Sequence, residues 1–396
     1  MKVCAIIAEY NPFHNGHLYQ IERTKQLVDY DFLIVLMSGN FTQRGDAAIL
    51  DKFKRSKIAK NYGADLVIEL PAVYSVSSAQ HFACAAINII ENLNIVTHLS
   101  FGSEIEDASL LKKAADILAS NDSAFHNSLK SWLDTGLSYK ASLNKALNGR
   151  LKENINLANS NTVLALQYLR ALNLKKSKIE PVIIKRIANA YSDCSLKERV
   201  SSASSIRRAK LCGEDFKRCV PKLTYDFLFQ SKCVSLNDFT ATIMTGLLKL
   251  GPEGISKLFE VNEGLQNRIF NSLKDSSSAE QLIDQITSKR YAKGTISRIM
   301  IYSMLDITKD LMNELISSGY PSYARILQIK ESGLALLKLM SKTSSIKIIA
   351  NAKEEKALGN TLQKVFALDK LATNIYSVHS GCQMFEDYYF SPFLSE

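Results

Sequence analysis

Apolar and polar positions follow two different patterns along this chain, and the change falls near residue 216. In the first half, short apolar runs alternate with longer amphipathic stretches, which is typical of strands alternating with helices. The predicted strands are Val3–Ala8, Phe32–Met37, Ala64–Leu70, His98–Phe101 and Pro181–Lys185. The predicted helices are 16–29, 51–62, 78–93 and 107–119, with further helices through 123–173. This alternation predicts an α/β fold with a Rossmann-like parallel sheet, whose ligand binds at the carboxyl ends of the strands.

Beyond residue 216, helical patterns follow one another without a clear strand between them. They are Asp238–Leu250, Gly254–Phe259, Asn262–Ser272, Ala279–Gln285, Thr295–Asp306 and Lys309–Ser317. Three short runs are ambiguous between helix and strand: Tyr323–Ile329, Leu334–Met340 and Ser345–Ala350. We therefore expect a sheet domain over residues 1–215 and a mainly helical C-terminal domain over residues 216–396.

Composition agrees with an ordinary folded protein. The 396 residues are 46% hydrophobic and 22% charged, which excludes a disordered or fibrous chain. The longest apolar runs, such as Phe32–Met37 and Ala83–Ile90, are too short to cross a bilayer, so we expect a soluble cytoplasmic protein with no membrane partner. The seven cysteines are odd in number and lack C-x-x-C spacing, which favours reduced thiols over a disulfide framework or a zinc site.

Positive charge is concentrated in one part of the sequence. Residues 151–250 contain 17 Lys and Arg but 8 Asp and Glu, and so hold +9 of the formal net charge of +10. Such a field suits a polyanion such as RNA, or a phosphate-rich substrate. A solvated basic surface would have the same composition, so charge alone does not decide between these interpretations.

The segment after the first predicted strand is the most informative. His14 and His17 stand three apart at the start of a predicted helix, so both can face one site, with Gly16 between them. The helix start supplies free N–H groups for a phosphate chain, and two imidazoles can donate hydrogen bonds to it. A metal site would need a third ligand nearby. Neither a P-loop nor a G-x-G-x-x-G follows the strand, which excludes those nucleotide folds.

A serine-rich turn ending in arginine follows the last predicted strand. It is Ser201-Ser202-Ala203-Ser204-Ser205-Ile206-Arg207, and by itself it is also compatible with a serine-capped helix. Together with H-x-G-H it resembles the superfamily of class I aminoacyl-tRNA synthetases, pantothenate synthetase and cofactor nucleotidyltransferases. Ser202, Ser204 and Arg207 match the I-S-S-T-x-x-R motif of that superfamily.

Three segments together resemble one bacterial family, the tRNA(Met) cytidine acetate ligases. They are residues 9–17, 37–45 and 99–104, and the resemblance is specific to about residue 210 and looser beyond. It implies a nucleotidyltransferase-like domain that uses ATP, with Mg²⁺, to activate acetate as acetyl-adenylate. The acetyl group would then pass to N4 of the wobble cytidine, C34, of elongator tRNA(Met), which forms N4-acetylcytidine.

The resemblance also implies which residues act. His14 and His17 would be catalytic. The ATP-binding positions would be Ile7, Ala8, Glu9, Tyr10, Asn11, Pro12, Phe13, His14, Asn15, Gly16, His17, Leu18, Tyr19, Gln20, Gly102, Asn161, Arg186, Ser202, Ser204 and Arg207. For the small acetate pocket, the loop after the second strand offers Asn40, Gln43 and Arg44 as candidates.

Two groups of basic residues are candidates for RNA binding. Their members are Arg208, Lys210, Lys289, Arg290, Lys293 and Arg298, the last four around Tyr291. Cations beside an aromatic ring offer phosphate contacts and a stacking surface, although a solvated loop would look the same. Two other functions stay open: a cofactor adenylyltransferase acting on a small phosphorylated metabolite, and a non-catalytic RNA-binding protein.

Overall fold

A computed structural model describes residues 1–105, 107–120, 122–151, 153–157, 159–186, 201–262 and 264–393. Within these residues, seven strands form one sheet: β1 (Val3–Ala8), β2 (Phe32–Ser38), β3 (Leu66–Leu70), β4 (His98–Ser103), β5 (Glu180–Lys185), β6 (Ala324–Ile329) and β7 (Ile348–Ile349). Their order across the sheet is β5-β4-β1-β2-β3-β6-β7. Each of the five predicted strands is confirmed, with ends that move by at most two residues.

Helices cover both faces of the sheet and make up most of the C-terminal half. Those before residue 216 are α1 (Asn15–Val28), α2 (Lys52–Asn61), α3 (Ala72–Ser75), α4 (Ala79–Asn92), α5 (Ala108–Ala119), α6 (Ser123–Asp134), α7 (Tyr139–Leu151), α8 (Ser160–Leu174) and α9 (Ala203–Cys212). Those after it are α10 (Lys222–Gln230), α11 (Thr240–Lys257), α12 (Leu265–Ser272), α13 (Ala279–Ile286), α14 (Lys293–Leu305), α15 (Lys309–Ser317), α16 (Gly333–Thr343), α17 (Asn360–Ser380) and α18 (Glu386–Tyr389). A non-helical Gly251 before Pro252 bends α11.

Strands β1 to β5 are parallel, as the alternation of strands and helices predicted. β1 lies at the centre of these five strands, and its apolar residues are buried because helices cover both of its faces. The chain moves outward on one side of β1 through β2 and β3 and then crosses to the other side to form β4. This reversal leaves a crevice at the carboxyl ends of β1 and β4, where such sheets bind ligands.

The C-terminal half contributes to the same sheet. The ambiguous run 323–329 contains β6, which pairs antiparallel with β3, and β7 continues the sheet beyond it. The expectation that the sheet ends before residue 216 is therefore wrong. Of the other two ambiguous runs, 334–340 lies within α16 and 345–350 contains β7. The C-terminal half is mainly helical, as predicted, but it packs on the sheet through two strands of its own.

A buried ionic cluster joins the two halves. Lys52 Nζ of α2 lies 2.8 Å from the Glu69 carboxylate of β3 and 2.9 Å from Asp387 of α18. Arg325 of β6 lies 2.7 Å from Asp387 and 3.5 Å from Glu69. Each of these four residues is at most 3% exposed, so each charge depends on the others for compensation. The cluster holds the last helix of the chain against the sheet.

The sequence also led to expectations about membrane spans and about the cysteines. None of the described helices is both long enough and apolar enough to span a bilayer. Six of the seven cysteines lie in the described residues and are free thiols; Cys194 lies outside the described residues.

Candidate active site

A cavity of about 720 Å³ opens at the carboxyl ends of the parallel strands. It brings together most of the residues expected to bind ATP, although they come from five separate stretches of sequence. Those that line it are Ile7, Ala8, Glu9, Tyr10, Asn11, His14, His17, Gln20, Gly102, Asn161, Arg186, Ser202, Ser204 and Arg207. The two sequence motifs therefore meet in one place.

Both histidines are held by backbone N–H groups at the start of α1. His14 is the N-cap, and its Nδ1 accepts from the N–H of Gly16 at 3.0 Å. His17 Nδ1 accepts from the N–H of His14 at 3.2 Å, which completes a reciprocal capping arrangement. A backbone N–H can only donate, so each Nδ1 must be unprotonated and each Nε2 must hold the ring proton. The two rings are stacked with centroids 3.8 Å apart.

The protein keeps both imidazoles neutral. Burial, followed by the positive charge of Arg186, lowers the pKa of His14 to about 3. Burial, followed by the neighbouring His14 and then Arg186, holds the pKa of His17 well below its usual range. Each neutral imidazole can still donate a hydrogen bond to a substrate through its Nε2–H group.

A carboxylate that the sequence did not identify as a site residue, that of Glu104, holds Asn161 and lies beside Arg186. Glu104 accepts from Asn161 Nδ2 at 2.8 Å and from the N–H and hydroxyl of Thr162 at 3.0 and 2.8 Å, where α8 begins. Arg186 Nε lies 3.6 Å from the same carboxylate. A Cβ on Gly102 would come within 3.0 Å of the Arg186 side chain, so glycine leaves that space to the arginine. Glu104 thus positions two predicted ATP ligands.

The second motif contacts the first directly. Ser202 caps α9 by accepting from the N–H of Ser205 at 3.1 Å. One turn later, Arg207 Nη1 donates to the carbonyl of Asn11 at 2.7 Å, and its Nη2 lies 3.6 Å from Asp46. The serine-capped helix and the functional site are therefore the same element: the cap starts the helix that brings Arg207 to the cavity.

The loop after β2 forms another wall. Glu9 accepts from the N–H of Gln43 at 2.8 Å, and Gln43 donates to the carbonyl of Ser77 at 2.9 Å. Gly45 has φ +77° and packs so closely on α14 that a Cβ would overlap the backbone of Ser297. Of the three acetate-pocket candidates, Gln43 and Arg44 line the cavity. Asn40 does not line it; its Oδ1 accepts from the N–H of Lys52 at the start of α2.

A buried arginine that belongs to no sequence motif connects the ends of two strands. Arg55 of α2 donates to the carbonyls of Glu9 and Ser38 at 2.6 and 3.1 Å, to that of Leu50 at 2.9 Å, and to that of Gly39. It therefore joins the ends of β1 and β2 beneath the cavity.

Six expected ATP positions do not line the cavity: Pro12, Phe13, Asn15, Gly16, Leu18 and Tyr19. Phe13 is fully buried and stacks on Tyr62, and Asn15 donates to the carbonyl of Arg218 at 2.8 Å. Gly16 contributes the N–H that fixes His14. Their places suggest that they shape the turn, and direct contact with ATP stays a prediction for them.

The basic residues expected to bind RNA divide into three groups. Arg208, Lys289 and Arg290 are exposed and Lys210 is half-buried. Lys293 lies on the cavity wall and forms an ion pair with Asp284 at 2.7 Å.

Arg298 is wrong as an RNA contact. Arg298 is 7% exposed. Its Nε and Nη2 each donate to the Glu260 carboxylate at 2.7 Å, so its charge is already compensated inside the protein.

The remaining wall comes from the C-terminal half. It consists of Ser235, Leu236, Asn237, Glu280, Ile283, Lys293, Gly294 and Ser297. Sequence motifs could not identify this wall, because its residues share no motif of fixed spacing and are brought together only by packing. In the part of the chain that is described, no group of three or more His, Cys, Asp or Glu side chains is arranged to hold a metal ion. Mg²⁺ therefore stays a prediction.

Comparisons with known proteins agree with this site. The chain matches the family described as HIGH Nucleotidyl Transferase over residues 1–387. It is 37% identical to the tRNA(Met) cytidine acetate ligase of Acetivibrio thermocellus, across 95% of this chain and 94% of the relative. It is 38% identical to that of Clostridium botulinum, across 99% and 98%.

A solved structure is also similar. Thermotoga maritima TmcAL bound with alpha-thio ATP has a TM-score of 0.91 and 28% sequence identity, and the match covers 99% of each chain. The chain therefore belongs to the HIGH nucleotidyl transferases and, among them, to the tRNA(Met) cytidine acetate ligase family.

Proposed function

We propose that this protein uses ATP to activate acetate as acetyl-adenylate and transfers the acetyl group to N4 of the wobble cytidine, C34, of elongator tRNA(Met). One observation carries the proposal. Two neutral imidazoles, His14 and His17, lie at a helix start in a cavity that also holds Arg186 and Arg207. This set of groups is suited to binding a triphosphate and to stabilising charge that develops on it.

The first step needs positioning and charge stabilisation more than a protein nucleophile. A carboxylate oxygen of acetate forms a bond to the α-phosphorus of ATP, and the bond to pyrophosphate breaks. The Nε2–H groups of His14 and His17 donate to phosphate oxygens as they gain charge, and Arg186 and Arg207 compensate the net charge. We include Mg²⁺ in the proposal as the ion that accompanies ATP, since phosphate oxygens are its usual ligands.

The second step requires the cytidine to reach the acetyl-adenylate. The cavity supports this because both halves of the chain line it: the nucleotide motifs on one side, and Leu236, Ile283 and Lys293 on another. An unpaired anticodon base can leave its stack and enter a pocket, which is the common mode of sequence-specific RNA recognition. Binding of both substrates in one cavity would allow direct transfer.

We assign the tRNA backbone to a surface that begins at the cavity, which we call the α9–α10 surface (residues 203–230). It includes Arg208 and Lys210, and Lys217 lies 5.5 Å from the ring of Tyr225. That ring stacks with Phe229, which is 73% exposed, at a centroid distance of 6.2 Å. Exposed aromatic rings beside cations offer stacking for bases and contacts for phosphates.

Transfer of label to tRNA tests the proposed function. Purified protein is incubated with ATP, tRNA(Met) and either ¹⁴C-acetate or ¹⁴C-acetyl-CoA, and label in the tRNA is counted and located by nucleoside digestion. We expect label from acetate, dependent on ATP, in N4-acetylcytidine. Label from acetyl-CoA and none from acetate would contradict the proposal. Formation of an adenylylated metabolite with no labelled tRNA would favour a cofactor adenylyltransferase.

A further inference from the structure

Two carboxylates line the cavity besides Glu9, which belongs to the predicted ATP-binding segment. Asp46 lies on the loop after β2, and Glu280 lies in the first turn of α13. They share the cavity with His14, His17, Arg186 and Arg207, which are the groups suited to ATP. Carboxylates repel both the phosphate chain of ATP and acetate, so these two mark a part of the cavity that suits a neutral or cationic group instead.

The backbone around Asp46 holds its side chain in place. Its carbonyl accepts from the N–H and the hydroxyl of Thr42 at 2.9 and 3.1 Å, which closes a tight turn. Arg207 Nη2 lies 3.6 Å from its carboxylate. Gly45 packs this turn on α14, as described above. The carboxylate therefore sits at a fixed point between the ATP motif and the C-terminal wall.

Glu280 is fixed by Asn237 from the same wall. The Glu280 N–H donates to Asn237 Oδ1 at 2.8 Å, and Asn237 Nδ2 donates to the Glu280 carboxylate at 3.2 Å. Two apolar residues, Leu236 and Ile283, line the same cavity. Apolar surface bordered by carboxylate acceptors suits a flat base with an exocyclic amine, and carboxylates accept from N4 of cytosine.

We propose that Asp46, Leu236, Asn237, Glu280 and Ile283 form the subsite for the acceptor cytidine, and that the Asp46 carboxylate accepts the proton from its N4 amine. The inference rests on the function proposed above and assigns the acceptor side of that reaction. Burial raises the pKa of Asp46, although Arg207 opposes this, and a carboxylate with a raised pKa is a better proton acceptor.

The proposed step balances without a further reactant. The N4 lone pair of the cytidine forms a bond to the acetyl carbonyl carbon, and the bond from that carbon to the phosphate oxygen of AMP breaks. The electron pair of the broken bond leaves with AMP. One N4 proton passes to the Asp46 carboxylate and from there to water. The products are N4-acetylcytidine, AMP and a proton.

Two half-reactions measured on the full-length protein test this assignment. Asp46→Asn keeps the size and polarity of the side chain but has no carboxylate that can take a proton. We expect single-turnover acetyl transfer to tRNA(Met) to fall at least about 100-fold. Acetate-dependent ATP–pyrophosphate exchange should fall at most about 5-fold, through the weakened contact with Arg207. Asp46→Ser, which also lacks a carboxylate, should behave alike and serves if the first variant does not fold.

Asp310→Asn is the matched control, because Asp310 is exposed on α15 and lies outside the cavity, so both rates should equal those of the parent protein. An equal loss of exchange and transfer in both Asp46 variants would overturn the inference, since Asp46 would then act through Arg207. Undiminished transfer would overturn it too. Absence of acetate-dependent exchange and transfer in the parent protein would instead overturn the proposed function, and the inference with it.

Discussion

His14 and His17 owe their protonation state to the protein backbone. Because each Nδ1 accepts from a main-chain N–H, each ring is restricted to the tautomer with hydrogen on Nε2. The sequence predicted that the pair would act together at a helix start. It could not predict that each ring also caps the helix, because that depends on the backbone angles of residues 14–17. Each histidine thus has two separable roles, a structural role at Nδ1 and a chemical role at Nε2.

Replacing each histidine with asparagine should separate these roles. Asn Oδ1 can take the place of Nδ1 as the acceptor, and asparagine is a favoured N-cap, but it has no equivalent of Nε2–H. We expect His14→Asn and His17→Asn each to lower acetate-dependent ATP–pyrophosphate exchange at least about 100-fold, with unfolding free energies within about 0.5 kcal/mol of the parent. His14→Ala should also lower the free energy of unfolding by about 1 kcal/mol, because it removes the helix cap.

His126→Asn is the control for these substitutions, since His126 is exposed on α6 and outside the cavity. It should change neither exchange nor stability. Near-parental exchange in either His14→Asn or His17→Asn would remove that imidazole from the catalytic mechanism.

The lowered pKa values predict an acid-sensitive fold. Both histidines stay neutral in the folded protein but take up protons near pH 6.5 when unfolded, so the unfolded state binds more protons below that pH. The contribution of the two histidines to the free energy of unfolding is complete above about pH 7 and is lost as the pH falls. Between pH 7 and pH 5.5, each histidine should lower the free energy of unfolding by about 1 kcal/mol.

Urea unfolding of the parent and of the His14→Asn/His17→Asn double variant measures this difference, and other titrating groups cancel in the comparison. The parent should lose about 2 kcal/mol more than the double variant over that range. Equal losses would show that the two imidazoles are not held neutral.

At the scale of elements, apolar runs predicted the five parallel strands because β1 to β4 are mostly buried, and β5 keeps its apolar run although it is a partly buried edge strand. β6 was ambiguous for a physical reason: Arg325 and Gln328 interrupt its apolar pattern, yet both are buried. Arg325 is compensated by Glu69 and Asp387, which are 256 and 62 residues away in sequence. A polar residue in a strand is assigned to solvent unless its partners are known, and sequence patterns do not supply them.

Glu104 gives an element-scale prediction, because it joins the start of α8 to the end of β5. Glu104→Gln retains an oxygen acceptor for Thr162 but removes the charge beside Arg186. We expect the KM for ATP in the exchange assay to rise roughly 10-fold, with kcat changed less, because positioning of Asn161 and Arg186 acts mainly on binding. Glu153→Gln, which alters an exposed ion pair with Lys113, should leave KM unchanged. A parental KM in Glu104→Gln would mean that Arg186 is positioned without it.

At the scale of the whole molecule, the sequence predicted a sheet domain over residues 1–215, which contains every ATP motif, and a mainly helical domain over residues 216–396. The cavity contradicts a clean separation, since Lys293 and Leu236 line it together with His14 and His17. A substitution at Lys293 is therefore expected to affect activation as well as RNA binding. Motifs identified the nucleotide side because its chemistry requires particular residues at fixed spacing. The C-terminal wall has no such local spacing, and its position depends on the packing of α11 to α14.

The α9–α10 surface should affect tRNA without affecting activation. Changing Arg208, Lys210 and Lys217 together to alanine removes up to three phosphate contacts. The slope of log affinity against log salt should flatten by up to about three units, while ATP–pyrophosphate exchange stays near the parental rate. The control changes three exposed lysines elsewhere, Lys338, Lys353 and Lys356, to alanine. An unchanged slope in the first variant would make residues 289–290 the better candidates.

Acetate-dependent ATP–pyrophosphate exchange in the absence of tRNA tests the central claim most directly, namely that this cavity activates a carboxylate with ATP. Labelled pyrophosphate is supplied with ATP and with acetate, longer carboxylic acids or phosphorylated metabolites in turn. We predict that label enters ATP when acetate is present, and that His14→Asn or His17→Asn lowers the rate at least about 100-fold. No exchange with acetate, or exchange with a phosphorylated metabolite alone, would contradict the account.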